Sequence, residues 1–98
     1  MEVLHLKTEK HELHDLTAQV REIVARSGVK DGICLVYTPH STAGIVIACG
    51  IDPNVLTNAQ QTFPIENGEL MLGGSQEIYF FEFDGPRDRK VYVQVVGA

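Results

Sequence analysis

Apolar and polar residues alternate from residue 2 to residue 8, with Val3, His5 and Lys7 on one face and Leu4, Leu6 and Thr8 on the other. This period of two predicts an opening strand, and its mixed polarity predicts an edge position. At Leu16 the period lengthens. Leu16, Val20, Ile23 and Val24 fall at i, i+4, i+7 and i+8, the stripe of an amphipathic helix. Asp15 or Thr17 is placed to cap its start, and Gly28 to end it in a left-handed turn. Residues 33–38 and 45–49 are apolar on both faces, as expected of strands covered on both sides. Pro39 ends the first of them, because proline donates no ladder hydrogen bond and restricts Thr38 before it. The polar hexapeptide 39–44 therefore connects two core strands, and a polar loop held at both ends by rigid elements is good scaffolding for a site.

The last third predicts an antiparallel meander. Asn67-Gly68, between apolar runs at 63–65 and 70–72, is a strong hairpin signal. Residues 76–84 place Tyr79, Phe81 and Phe83 on one face and Ile78 and Phe80 on the other, so both faces call for cover, one of them from another subunit. Residues 85–88 make a turn, and Val91, Val93 and Val95 alternate with Tyr92 and Gln94 in a closing strand. Between Asn54 and Thr62 the pattern fails, and the polar stretch 56–61 looks like a join.

These elements predict an α+β domain, a mixed or antiparallel sheet covered by one amphipathic helix. With 98 residues, and no Pro/Gly/Ser tract to mark a linker, the chain reads as a single domain over 1–98. A domain of this size buries a modest share of its surface, so self-association would help it. Thirteen acidic against eight basic residues give a net charge of −5, the wrong sign for a nucleic-acid partner. No apolar run approaches the ~20 residues that span a bilayer, and Met1-Glu2 is not a basic leader, so no membrane partner and a cytoplasmic location are expected. Cys34 and Cys49 form no C-x-x-C pair. Cys34 reads as a small buried hydrophobe; for Cys49, at a strand end near the polar loop, a reactive thiol or site support is the minority alternative to the same structural role.

His40 is the most chemically suggestive residue. An imidazole behind a strand-ending proline and beside two hydroxyls is placed to ligate a metal, shuttle a proton or bind phosphate, and Ser41 and Thr42 add hydroxyls for an anion. His11 and His14 flank Glu12-Leu13 but are one residue too close for a zincin pair, and in an extended segment their rings face opposite ways. Arg87 is placed to grip a phosphorylated ligand through a bidentate fork, or to pair with Asp84 or Asp88 in a solvated turn. Asp52-Pro53 reads as a turn starter, with support of the site as its second role. No Walker loop, dinucleotide fingerprint, kinase motif or Ser-His-Asp order occurs.

Three segments together carry a resemblance: residues 27–32 (SGVKDG) leading into 37–44 (YTPHSTAG), then 52–55 (DPNV), then 82–87 (EFDGPR). In this order the chain resembles the YjbQ-like family, whose members are called secondary thiamine-phosphate synthases. The resemblance implies an α+β fold, a homotrimer and a histidine-based site for a divalent metal ion, zinc among the candidates. It also implies a weak transferase activity on phosphorylated small molecules, making thiamine phosphate from a pyrimidine pyrophosphate and a thiazole phosphate. His40 matches the histidine of the family's Pro-His-(Thr/Ser)-Thr-Ala-Gly loop and inherits the catalytic and metal-binding roles. Ser41 and Thr42 match its hydroxyl pair, Asp52 its Asp-Pro, and Arg87 its Gly-Pro-Arg.

The family's further stretch after Asp-Pro, with its His-x-Glu-Gly-Asn segment, has no match, so a central segment near 55–62 is missing. Either the natural polypeptide carries residues there that this sequence lacks, or it has lost them. The first is favoured, because baring buried strands costs about 25 cal/mol per Å² of apolar surface. An intact mass matching 98 residues would refute it. The alternative to an enzyme is a non-catalytic oligomeric binding module.

Overall fold

The computed structural model describes residues 1–48 and 58–98; the predicted roles of Cys49 and Asp52 fall outside the described residues. In chain order the elements are β1 (Glu2–Thr8), β2 (Leu13–Asp15), α1 (Thr17–Ser27), β3 (Gly32–Tyr37), β4 (Ala43–Ala48), β5 (Gln60–Glu66), β6 (Glu69–Leu70), β7 (Glu77–Glu82) and β8 (Arg87–Gly97). The strands divide into two antiparallel sheets, one ordered β1-β8-β3-β5-β6 and one ordered β2-β7-β4. A bridge between Ile45 and Asn58 links β4 to the approach of β5.

The helix forms where its stripe predicts. Leu16, Val20, Ile23 and Val24 are all buried, and Gly28 closes the helix at φ 74°, in the left-handed region that glycine enters without steric cost. The start differs from expectation in one respect. Leu16 itself occupies the cap position, and Asp15, one residue earlier, accepts the Thr17 amide at 2.9 Å. Thr17 instead turns its hydroxyl oxygen to the Ile78 amide at 2.8 Å, tying the helix to β7. The core lies between the two sheets and under this helix. Cys34, Val36, Val91 and Val93 enter it from the first sheet, and Ile45, Ile78 and Phe80 from the second.

β1 is the edge strand its polarity predicts, and the two positive-φ residues Asn67 (53°) and Gly68 (79°) form the tight turn between β5 and β6. The unpatterned stretch before Thr62 is a correction: Gln60 and Gln61 belong to β5 and pair with Tyr37 and Val36. Their backbones satisfy the ladder whatever their side chains, so hydrophobic periodicity carries no trace of it.

β3 is a second correction. Cys34 and Val36 are buried, but on the opposite face Ile33 is 48% exposed and Tyr37 39% exposed, so within one chain that face is open. Val96, directly opposite Ile33 in the ladder, is 54% exposed on the same side. The apolar pattern of β3 thus records a face that the described residues leave largely open. No helix among the described residues is long and apolar enough to cross a membrane.

Candidate functional site

The connection from β3 to β4 runs past the ends of both sheets, and the strands that approach it carry charge into the core. On β7 the inward phase set by Ile78 and Phe80 continues to Glu82, which is 0% exposed. On β8 the inward phase set by Val93 and Val91 continues backward to Arg89, 5% exposed. The two meet between the sheets. Arg89 donates through Nε to Glu82 Oε1 at 2.6 Å and through Nη2 to Glu82 Oε2, a two-point fork. The Thr8 hydroxyl, at the end of β1, also donates to Glu82, and the Asp84 amide donates to it at 3.1 Å.

This surrounding fixes the charge state of the pair. The Arg89 hydrogen bonds hold the Glu82 carboxyl down to about 2, against a contrary push from burial and with help from Thr8 and the Asp84 amide. Arg89 is correspondingly raised, chiefly by its hydrogen bonds to Glu82. The ion pair is fully formed at neutral pH.

The connection rests on this pair. Arg89 Nη2 donates to the Thr42 hydroxyl oxygen at 2.8 Å, and the Phe83 amide donates to the Thr42 carbonyl at 3.0 Å. One residue beyond Arg89, the Lys90 amide donates to His40 Nε2 at 3.0 Å, while the Lys90 carbonyl accepts from the Thr38 hydroxyl at 3.2 Å. A ring nitrogen that accepts a hydrogen bond carries no proton, so the neutral His40 imidazole holds its proton on Nδ1. Partial burial lowers the His40 pKa, with Arg89 and Lys90 acting the same way and Glu82 opposing them. The ring is half-buried, against β8 and at the edge of solvent.

Of the residues expected from sequence to form a site, His40, Ser41 and Thr42 do share this connection, with Ser41 exposed at its turn. Arg87, the exposed first residue of β8, pairs its guanidinium with Asp84 at 2.9 Å, the alternative its sequence setting offered. The inward arginine is Arg89, two positions on, and it and Glu82 are the residues that the sequence reading passed over. The signal was present: both keep the phase of buried apolar neighbours, and a charge in that phase demands a partner.

A divalent metal needs a lone pair from His40. In this geometry Nε2 spends its lone pair on the Lys90 amide and Nδ1 carries the proton. Among the described residues no group of three or more His, Cys, Asp or Glu side chains is placed to hold an ion. The described donors do not fit a metal. His14 Nε2 faces Glu12 Oε1 at 2.8 Å rather than converging with exposed His11. Cys34 is the buried hydrophobe expected of it, its thiol pushed up to about 11 by burial.

Comparison with known proteins agrees with this fold. The profile of the family described as UPF0047 protein YjbQ-like matches residues 2–61 and 53–98, two stretches that together cover nearly the whole chain. A UPF0047 protein of Methanocaldococcus jannaschii is 35% identical, the match covering 94% of this chain and 91% of that one. The UPF0047 protein YugU of Bacillus subtilis is 33% identical, with 99% of each covered. These alignments run over 125 and 131 residues, longer than this chain, so each relative carries residues that face a gap here. Among solved structures, an uncharacterized conserved protein of this family from Clostridium acetobutylicum is 36% identical with a TM-score of 0.89, covering 98% of this chain and 100% of its own. A protein of unknown function from Sulfolobus solfataricus P2, described as YbjQ-like, is 30% identical with a TM-score of 0.91, covering 99% and 96%.

Proposed function

Since the chain belongs to the YjbQ-like family, UPF0047, we propose that it is a weak transferase acting on phosphorylated small molecules, working as a homotrimer in the cytoplasm. The substrates are a pyrimidine pyrophosphate and a thiazole phosphate. The thiazole nitrogen attacks the methylene carbon of the pyrimidine, a C–N bond forms, and the C–O bond to pyrophosphate breaks with its electron pair leaving on the pyrophosphate. What the protein must supply is position and relief of charge on the departing oxygens. The observation that carries this reading is the β3–β4 connection itself, where His40, Ser41 and Thr42 sit over a fully buried ion pair. Burying two charges is costly, and a surface loop with no task has no need of such a foundation.

His40→Ala tests the assignment. Formation of thiamine phosphate from the two precursors should fall roughly a hundredfold, the scale of one lost donor to an oxygen that gains charge in the transition state, while the melting temperature holds. An unchanged rate would remove His40 from the chemistry.

A second reading, a non-catalytic oligomeric binding module, is favoured by the open apolar face of β3 and β8 and by the stacked rings of Phe81 and Phe83, 4.7 Å apart on the outer side of β7. Both readings use that face for self-association. Lysine at Ile33 and Val96 together should convert the trimer to monomers in sedimentation at micromolar concentration, since two charges would then face the apolar contact. A species of unchanged mass would mean that the subunits meet elsewhere. Purified protein that stays trimeric but does not turn over the precursors would favour the binding module.

A further inference from the structure

The two arginines at the start of β8 are already committed, Arg87 to Asp84 and Arg89 to Glu82, while Lys90, whose amide bonds His40, carries its ammonium on the exposed side of the strand. The Arg89 fork, held on both carboxylate oxygens, is not at liberty to swing onto a ligand. What meets an incoming phosphate besides the long-range charge of Lys90 is the polar connection, and its His40 and Thr42 side chains are oriented alike. His40 has its only acceptor atom occupied by the Lys90 amide at 3.0 Å. The opposite tautomer would set the ring's own N–H against that amide N–H, two donors in contact. Thr42 has its oxygen occupied by Arg89 Nη2 at 2.8 Å, which leaves its hydroxyl proton to be given outward.

We infer that His40 and Thr42 form a donor face that binds a phosphate or pyrophosphate oxygen directly, without a bridging metal, with the Lys90 amide locking His40 as the Nδ1–H tautomer and Arg89 acting as the positioning residue for Thr42. The inference rests on the reading of this connection as a phosphate-handling site and adds what recognises the phosphate. Neutral N–H and O–H donors held in place beforehand suit an oxyanion, because they need no reorganisation when the charge arrives. The same arrangement disfavours a cation, because His40 presents a proton and the Thr42 oxygen already faces the Arg89 guanidinium. Arg89 touches no ligand; it acts through Thr42, held from behind by Glu82, which in turn accepts from the Thr8 hydroxyl.

Two measurements on the intact protein test this. Long-range proton–nitrogen correlation spectra of nitrogen-15-labelled protein at neutral pH should show the His40 ring with Nδ1 protonated and Nε2 bare, the minority form of free histidine. Calorimetric titration with inorganic pyrophosphate should give the same affinity in the presence of a strong chelator as in its absence. Thr42→Val, close in shape and lacking the hydroxyl, should weaken that binding about tenfold when titrated well below its melting transition, and Thr42→Ser should restore it. A His40 ring protonated on Nε2 would overturn the inference. So would pyrophosphate binding that vanishes with chelator and returns with zinc or magnesium, or no pyrophosphate binding under either condition. Chelator-resistant binding in a protein that never forms thiamine phosphate would uphold the donor face while ending the transferase reading, so the two fail separately.

Discussion

Arg89→Met should destabilise the fold by about 3–5 kcal/mol, the range found when one partner of a buried ion pair is removed and the other is left uncompensated. The Glu82 carboxylate would then lie between two sheets, with only the Thr8 hydroxyl and the Asp84 amide to serve it. Methionine fills much of the vacated volume, so the loss reports on charge rather than on a cavity. Replacing Glu82 and Arg89 together, by leucine and methionine, should recover most of that loss, because a paired apolar substitution removes both desolvation penalties at once. Urea denaturation of the two single variants and the double variant measures the coupling directly. A cost below about 1 kcal/mol for Arg89→Met, or a double variant no better than the singles, would mean that the pair is not the keystone between the sheets. Loss of stability should be accompanied by loosening of the β3–β4 connection, since Arg89 is what holds the Thr42 hydroxyl.

Acid should expose the same pair. Glu82 has its carboxyl lowered to about 2 from an ordinary value of 4.5, first by the Arg89 hydrogen bonds. A group depressed in the folded state contributes stability in full above its unfolded value and loses it as pH falls through the folded one. Stability from Glu82 is therefore complete above about pH 4.5 and disappears progressively toward pH 2, a change on the order of 3 kcal/mol at 1.4 kcal/mol per unit. Other carboxylates also titrate in this window, so the informative quantity is the difference between the wild type and Glu82→Gln, which carries no titrating group at that position. Between pH 4.5 and pH 2 the wild type should lose stability more steeply than the variant, and the two curves should run parallel above pH 5. Parallel curves throughout would show that the carboxyl is not held below its ordinary range.

Much of the scaffold was legible from periodicity. The helix announced itself through the spacing of Leu16, Val20, Ile23 and Val24, and the β5–β6 hairpin through Asn67-Gly68, because a helical stripe and a left-handed turn are local demands met by local residues. The division of the strands into two sheets was not legible. Pairing is a matter of which backbones meet, and β8, last in the chain, lies between β1 and β3 without any mark in its side chains of that central place.

The site followed the same division. From the chain alone came the polar connection with His40, Ser41 and Thr42, bracketed by two apolar runs, and the family likeness that drew attention to it. Arg87 was a natural choice by motif, and its pairing with Asp84 is the second of the two readings offered for it; the inward arginine is Arg89. One step of alternation separates a turn facing water from a strand facing the core, and only the register of β8 against β1 and β3 settles where that step falls. Sequence by itself determined what each short segment would become, since propensity, period and turn chemistry act over a few residues. The packed structure alone decided that Glu82 from β7 and Arg89 from β8 would meet behind the loop, and so which protons His40 and Thr42 present, because those depend on distances between strands that no local pattern encodes.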